Sequence, residues 1–413
     1  MANTLATSSW VTKEVARGFT NSVVFIANVN RTYDDQYKVS GAKVGNTVNA
    51  RLPQRFVATD GQGLQLQNLY DQTVPISLTN QKNVAFSWSS AEETTELDSV
   101  RERYVQPGAE SLANAADVLA FDAVYRDIYS NVGTPGTTPS ATLTYLQAGV
   151  KLTDLATPTK GRVAVLDSLA MATIANTSSS LFNPSAVISE NYREGMFGRN
   201  QLGIGEWYQD PNRPAHTSGT FTASTPLVNG ASQTGSSLIT DGWANGAAYL
   251  KKGDTFTIAG VYTVNPQSYR STGRLQQFVV TADIDSVATT VNMTIAISPS
   301  IITSGALQTV SNSPANDAVI TVVGATAAAG GTLATTVSPQ SLVYHPDAFA
   351  FVMADLIKPD AGCKASVARS KKYGFSIRMV EQYQINNDQN PSRLDILIGA
   401  ATLQARLACR VQG

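Results

Sequence analysis

Residues 107–133 read PGAESLANAADVLAFDAVYRDIYSNVG, and what this stretch packs against decides the fold. Leu112, Ala116, Leu119 and Ala123 recur at helical spacing, while Val118, Phe121, Tyr125 and Ile128 do so on another side. Gln106 can cap such a helix, Pro107 suits its first position and Gly133 stops the run. The spacing predicts a helix of about 24 residues, ~36 Å long at the usual rise. Two apolar stripes need two partners: one is the chain's own sheet, the other either more core or a neighbouring subunit.

The sequence changes texture on either side of this helix. Residues 1–45 read as an arm, in which Ser9 caps a short helix carrying Trp10 and Phe19 that must pack on another element or subunit. Residues 46–88 read as a long two-stranded excursion. Val48, Ala50 and Leu52 alternate outward and Val84, Phe86 and Trp88 alternate on the return, with Gly61 and Gly63 near the tip. Two strands alone bury too little to stand free in water, so this ribbon needs a surface to lie on. Residues 89–133 hold an acidic start and the long helix. Residues 134–215 and 341–372 mix α and β, and 373–413 end in strands. Within them, Arg162–Asp167 is a buried-type strand, Ser168 begins a helix, and a strand to His345 precedes a helix running from Pro346 to Pro359. Residues 216–340 differ: GDTFTIAGVYTV, LQQFVVTADI, NMTIAISPSI and DAVITVVG alternate with period two between turn residues, the pattern of an all-β barrel inserted into the α+β frame. The place of residues 300–340 within that barrel stays open.

Composition excludes several classes. Lys plus Arg number 30 against 31 Asp plus Glu, which leaves no basic surplus for a dedicated nucleic-acid binder. Only 15% of residues are charged, against roughly 25% in ordinary soluble proteins. Neutral polar surface costs less to desolvate than charge, so the chain suits burial against partners. Cys363 and Cys409 stand far apart, which supports neither a disulfide framework nor a cysteine zinc site. Lys13, Glu14 and Arg17 sit where a signal peptide would be apolar, and the uncharged stretch 318–344 is broken by glycines, so no export signal and no membrane span are expected.

Chemical motifs are weak. His345, Asp347 and Ser168 allow a hydrolase triad to be drawn, but His345 ends a strand and Asp347 suits a helix start. NNDQNPSRLD from Asn386 places oxygens like a calcium loop but has Pro391 where glycine is needed. Asp283 and Asp285 share a strand face, and Arg369–Lys372 form a short basic run; solvated surface explains both. No catalytic, cofactor-binding or metal-binding residue is expected.

KVGNTVNARLPQRF, REGMFGRNQLGIGEWYQDPNRPAHTSGT, LKKGDTFTIAGVYTVNP, SLVYHPDAFAFVMADL and RLDILIGAATLQARLACRVQG, in this order of parts, resemble the major capsid proteins of tailed bacteriophages. The subgroup is the short-tailed-phage coat proteins with an inserted I-domain. The resemblance implies an N-arm (1–45), an E-loop (46–88), a P-domain with a spine helix (89–133), an A-domain (134–215 and 341–372), a β-barrel I-domain (216–340) and closing strands (373–413). It implies a spine helix lying between its own sheet and a neighbour's E-loop. The expected subunit-interface residues are Trp10 and Phe19 in the arm, Arg51, Arg55, Leu64, Leu66, Leu69 and Tyr70 in the loop, and Phe121 and Tyr125 on the spine. Implied partners are further copies of the chain, as hexamers and pentamers of an icosahedral shell, a scaffolding protein, a portal protein, and double-stranded DNA enclosed without sequence-specific binding. Assembly would take place in the bacterial host cytoplasm and the product would be the virion. The alternative is the shell protein of a non-viral nanocompartment of the same fold.

Overall fold

A computed structural model of the chain describes residues 23–32, 47–63, 65–69, 71–89, 106–178, 203–244, 249–285, 292–327, 331–359, 362–369 and 375–413. Trp10, Phe19, Leu64, Tyr70, the acidic segment before Gln106 and the basic residues Lys371 and Lys372 lie outside the described residues. The chain divides into two compact units, one drawn from 1–50, 73–123 and 349–401, the other from 51–72, 124–348 and 402–413.

In the first unit, helix α1 (Gln106–Tyr125) accompanies a five-stranded sheet. Strands Phe349–Ala354, Gln389–Thr402, Ser376–Glu381 and Lys364–Arg369 lie in that order, and Asn80–Ser89 pairs along Gln389–Thr402 from Ser89↔Gln389 to Asn80↔Ile398. Within this unit α1 buries Ala109, Leu112, Ala113, Ala116, Ala120 and Phe121, a single face at alternating steps of three and four. Small side chains on that face bring the helix close: a Cβ at Gly108 would stand 3.4 Å from Val84 Cγ1. Val118 and Ala123 are exposed and Leu119 half-buried, so the two stripes expected from sequence resolve into one buried face. Residues 23–32 complete the packing. Phe25 stacks on Phe121 with ring centroids 4.5 Å apart and leans on Phe349 at 5.7 Å. The Ile26 amide donates to Asp117 Oδ1 at 3.0 Å, which gives this buried carboxylate a partner.

Three expectations are corrected here. The outgoing strand of the excursion, Thr47–Arg51, pairs with Thr73–Ser77, not with the segment carrying Val84, Phe86 and Trp88, which joins the large sheet instead. The long strand Gln389–Thr402 offers far more backbone partners than a free ribbon can. Secondly, the helix expected from Pro346 is a single 3-10 turn, Pro346–Ala348, followed by the strand Phe349–Ala354. Phe349 to Met353 are all buried, and a strand covered on both faces reads as a continuous apolar run that periodicity cannot tell from a helix. Thirdly, α1 ends at Tyr125. The Arg410 amide donates to Ser130 O at 2.8 Å and Asn131–Gly133 pairs in parallel with Ala408–Gln412. Gly133 serves the strand: at φ +91° a Cβ there would lie 2.3 Å from Gln412 O.

The second unit holds a mixed sheet in the order Asn131–Gly133, Ala408–Gln412, Val337–Tyr344, Val163–Leu166, Glu206–Gln209. Helices α2 (Thr142–Asp154) and α3 (Ser168–Ser178) share its core through Tyr145, Leu152, Met171 and Ile174, with Trp207, Val343 and Cys409 from the strands. Arg162–Asp167 and Ser168 behave as the sequence leads one to expect.

Between Thr217 and Val337 the described chain is all β. Its largest sheet runs Ile320–Val322, Thr255–Val264, Ser271–Val280, Met293–Ile301, Gly235–Asp241, Leu227–Val228, and two short ladders flank it. This segment has its own core, including Phe221, Leu238, Trp243, Phe256, Phe278 and Ile295. Residues 300–340, unplaced from sequence, contribute Ile301, Val310, Ile320, Val322 and Leu333 to it. The two ends of the segment are zipped together, Thr217↔Val337, His216↔Ser338 and Ala215↔Pro339. A fragment of residues 216–340 is therefore expected to fold alone, with dispersed amide resonances and a cooperative melt; a collapsed amide spectrum would contradict this.

A buried polar cluster sits at that zipped neck. Asp254 accepts from His216 Nε2 at 2.8 Å and from the Gly219 and Lys251 amides at 2.9 Å. Arg410, fully buried on the last strand, donates through Nη2 to Gly253 O at 2.8 Å. Desolvation lowers its guanidinium to about 10, against the opposing pull of Asp254, so it stays charged at neutral pH. Gly219 has no room for a side chain, since a Cβ would meet Tyr249 O at 2.0 Å. The neck thus ties the start of the all-β segment, Asp254 inside it and the chain's last strand into one network.

Candidate assembly surface

Among the described residues of the second unit, two groups of exposed apolar side chains stand out beside single ones such as Val337 and Leu275. The chain between Leu52 and Gln72 is tied back at its base by Leu52 N to Gln72 O at 2.9 Å and Gln54 Nε2 to Asp71 Oδ1 at 2.8 Å. This loop presents Phe56, Leu66 at 87% exposure and Leu69 at 74%. Arg51 is exposed and Arg55 half-buried. The expected loop residues among those described are thus at the surface, apart from the partly covered Arg55.

The other place is α2. Its inner face, Tyr145, Ala148, Gly149 and Leu152, is buried, and its outer face carries Leu143, Leu146 and Val150 at steps of three and four, joined by Leu169 on α3 as a further exposed leucine. Sequence reasoning missed this second stripe, although its spacing was legible: a helix apolar on two sides is half-partnered by its own fold. In the first unit Ile357, Tyr383 and Ile385 are also exposed. Contiguous exposed apolar groups of this kind mark interaction surfaces.

Phe121 and Tyr125 belong elsewhere. Phe121 is fully buried against Phe25, and Tyr125 is 1% exposed, its ring edge-on to His216 at 6.0 Å. The expectation that they face a neighbour is corrected, because their own subunit already covers them.

Of the chemical candidates, His345 and Asp347 stay together, with His345 Nδ1 3.4 Å from Asp347 Oδ2. His345 Nδ1 accepts from the Asp347 amide at 3.3 Å within one tight turn, and Asp167, beside Ser168, is engaged with Arg213 at 2.7 Å. Asp283 accepts from the Lys252 amide at 2.6 Å and the Tyr249 hydroxyl at 3.0 Å, contacts that hold its carboxyl below the usual range. Asp395, at the end of the calcium-like stretch, is clamped by Arg378 at 2.6 Å and Arg393 at 2.5 Å. Among the described residues no cluster of His, Cys, Asp and Glu could hold a metal ion, and no helix is long and apolar enough to cross a membrane. What the geometry offers is surface for contact.

Comparison with known proteins agrees in kind. A family model described as P22 coat protein, gene protein 5, matches residues 1–409. No curated protein matches. Among solved structures, a Mycobacterium phage Che8 chain is similar at 14% identity, with 94% of this chain and 90% of that one covered and a TM-score of 0.45. The capsid of Ralstonia phage GP4 is similar at 8% identity, 100% and 92% coverage and a TM-score of 0.44. The CUS-3 coat protein I-domain aligns at 25% identity over 25% of this chain and 97% of that one, with a TM-score of 0.19.

Proposed function

This chain belongs to the P22 coat protein family, and from that premise we infer its work: it is a major capsid protein of a bacteriophage, and many copies of it form the shell of the virion. The observation that carries this is the family match over residues 1–409. Coat protein is a structural role, and the exposed apolar loop and helix face supply what such a role needs.

We propose further that the shell is icosahedral, built of hexamers and pentamers, and encloses double-stranded DNA without reading its sequence. A net charge of −1 supports this, because a wall that neutralised many phosphates would hold the genome in a salt-dependent grip. A scaffolding protein, a portal protein and assembly in the host cytoplasm belong to the same reading. So does the assignment of 216–340 as an inserted I-domain, which rests on its zipped ends and separate core. Its interface is drawn from Arg51, Leu66, Leu69 and the outer stripe of α2, with the arm residues Trp10 and Phe19 retained from the sequence. The protein catalyses nothing in this reading, and the nanocompartment alternative is not retained, since the matching family is one of coat proteins.

Electron microscopy of the purified protein tests the proposal: closed shells are expected, from the wild type and from His345→Ala alike, and a protein that stays unassembled under all scaffold and salt conditions would sink it. The shell should also lack covalent cross-links. No lysine occurs between Lys43 and Lys82, and Lys82 is held in a strand opposite Ile396, so the loop has no amine for an isopeptide bond. Particles boiled in detergent should run as a single band near 43.8 kDa, not as a ladder.

A further inference from the structure

A cavity of about 340 Å³ opens in the second unit, lined by Arg55, Arg406, Tyr129, Gln72, Gln276 and Gln308 among others and, among the described residues, by no Asp or Glu. Its volume far exceeds what a single water requires. Arg406 is anchored at the rim by neutral acceptors only: Nη1 donates to Leu155 O at 3.1 Å, and Nε and Nη2 donate to Gln404 Oε1 at 3.1 and 2.8 Å. Arg55 has no hydrogen-bond or ion-pair partner among the described residues. Arg55 and Arg406 line the same cavity; burial lowers the Arg406 guanidinium and the charge of Arg55 lowers it further. Both act on the buried Tyr129 hydroxyl, which desolvation pushes up to about 12 against their pull.

Such an arrangement is unbalanced. A guanidinium cannot discharge itself by losing a proton at physiological pH, so two of them beside one cavity repel unless an anion joins them. Guanidinium groups also match the paired oxygens of carboxylate and phosphate in geometry. Side-chain amides also line the cavity, with Gln276 Nε2 donating to Gln277 O at 2.6 Å and Gln308 Nε2 to Val310 O at 3.0 Å. Among the described residues the lining thus carries two cations and no anion.

We propose that this cavity is an oxyanion site, taking one phosphate or carboxylate group between Arg55 and Arg406. This goes beyond shell formation, and it holds for the single subunit whether or not it assembles.

The test uses the full-length, unassembled subunit with inorganic phosphate as the probe, at ionic strength matched with sodium chloride. Calorimetry should show one phosphate bound per chain, and Arg55→Gln should weaken it at least tenfold. Arg406→Lys, which keeps the charge but not the fork, should weaken it less and serves where Arg406→Gln fails to fold. A second signature separates a binding role from a structural one. In chloride alone Arg55→Gln should melt no lower than wild type, since it relieves repulsion, while phosphate should raise the melting temperature of the wild type only. No phosphate response beyond matched chloride, or an equal response in Arg55→Gln, would overturn the proposal. Repeating the titration on assembled shells identifies the source: phosphate binding retained there points to a free anion, and binding lost there points to a carboxylate supplied by a second copy of the chain.

Discussion

Phe121→Asp is expected to abolish soluble subunit and shell alike. The ring is fully buried, stacked on Phe25 at 4.5 Å in the face that joins α1 to residues 23–32. Removing a buried phenylalanine costs about 3–5 kcal/mol, and an unpaired carboxylate in the same space adds several more. Together these approach the whole stability of a domain, roughly 5–15 kcal/mol. Soluble yield and far-ultraviolet circular dichroism check it, with Phe121→Leu as the volume-conserving control that should retain most of both. Normal shell yield from the aspartate variant would show that the stack is not part of the folded subunit.

The second large effect is expected at the neck. Asp254→Ala leaves the His216 ring nitrogen and the Gly219 and Lys251 amides without their acceptor, and removes the anion that offsets the desolvation of Arg410. Deleting one partner of a buried charged network costs about 3–5 kcal/mol, because the remaining charge stays buried. At roughly 2–4 °C per kcal/mol for a unit of this size, the melting transition of the second unit should fall by about 10 °C. Asp254→Asn, which can keep an oxygen at the Oδ2 position for both amides, should lose less. A melting curve unchanged by Asp254→Ala would mean that the cluster contributes nothing to closing the neck.

Both effects depend on partners far apart in the chain, and this separates what was legible from what was not. The strand Val163–Leu166 was legible because four apolar residues end at the Asp167–Ser168 helix start. The all-β segment was legible because period-two alternation and glycine turns repeat over a long stretch, and local pattern alone excludes a helix there. Charge and composition pointed to a chain suited to burial against partners, and Leu66 and Leu69 stand exposed on the loop. The arm residues and the loop-tip Leu64 and Tyr70 lie outside the described residues. Other readings went astray where two outcomes shared one pattern. Phe349–Ala354 is apolar on every side, which fits a buried helix as well as a strand with both faces covered.

Of the sequence alone, then, this can be said: its period-two alternation marked the strands found between Thr217 and Val337. Only the tertiary structure decided which faces are spent within the subunit. The helix with two apolar sides anticipated at α1 turns out to be α2, whose Leu143, Leu146 and Val150 remain uncovered while α1 gathers its apolar residues onto one face. The physical reason is that helical periodicity records how much apolar surface needs cover, but not from where. Phe25 comes from 96 residues upstream to close α1, and Arg410 from 157 residues downstream to reach Gly253. Contacts at such separations are set by the packing of whole sheets, to which no local pattern in the chain refers.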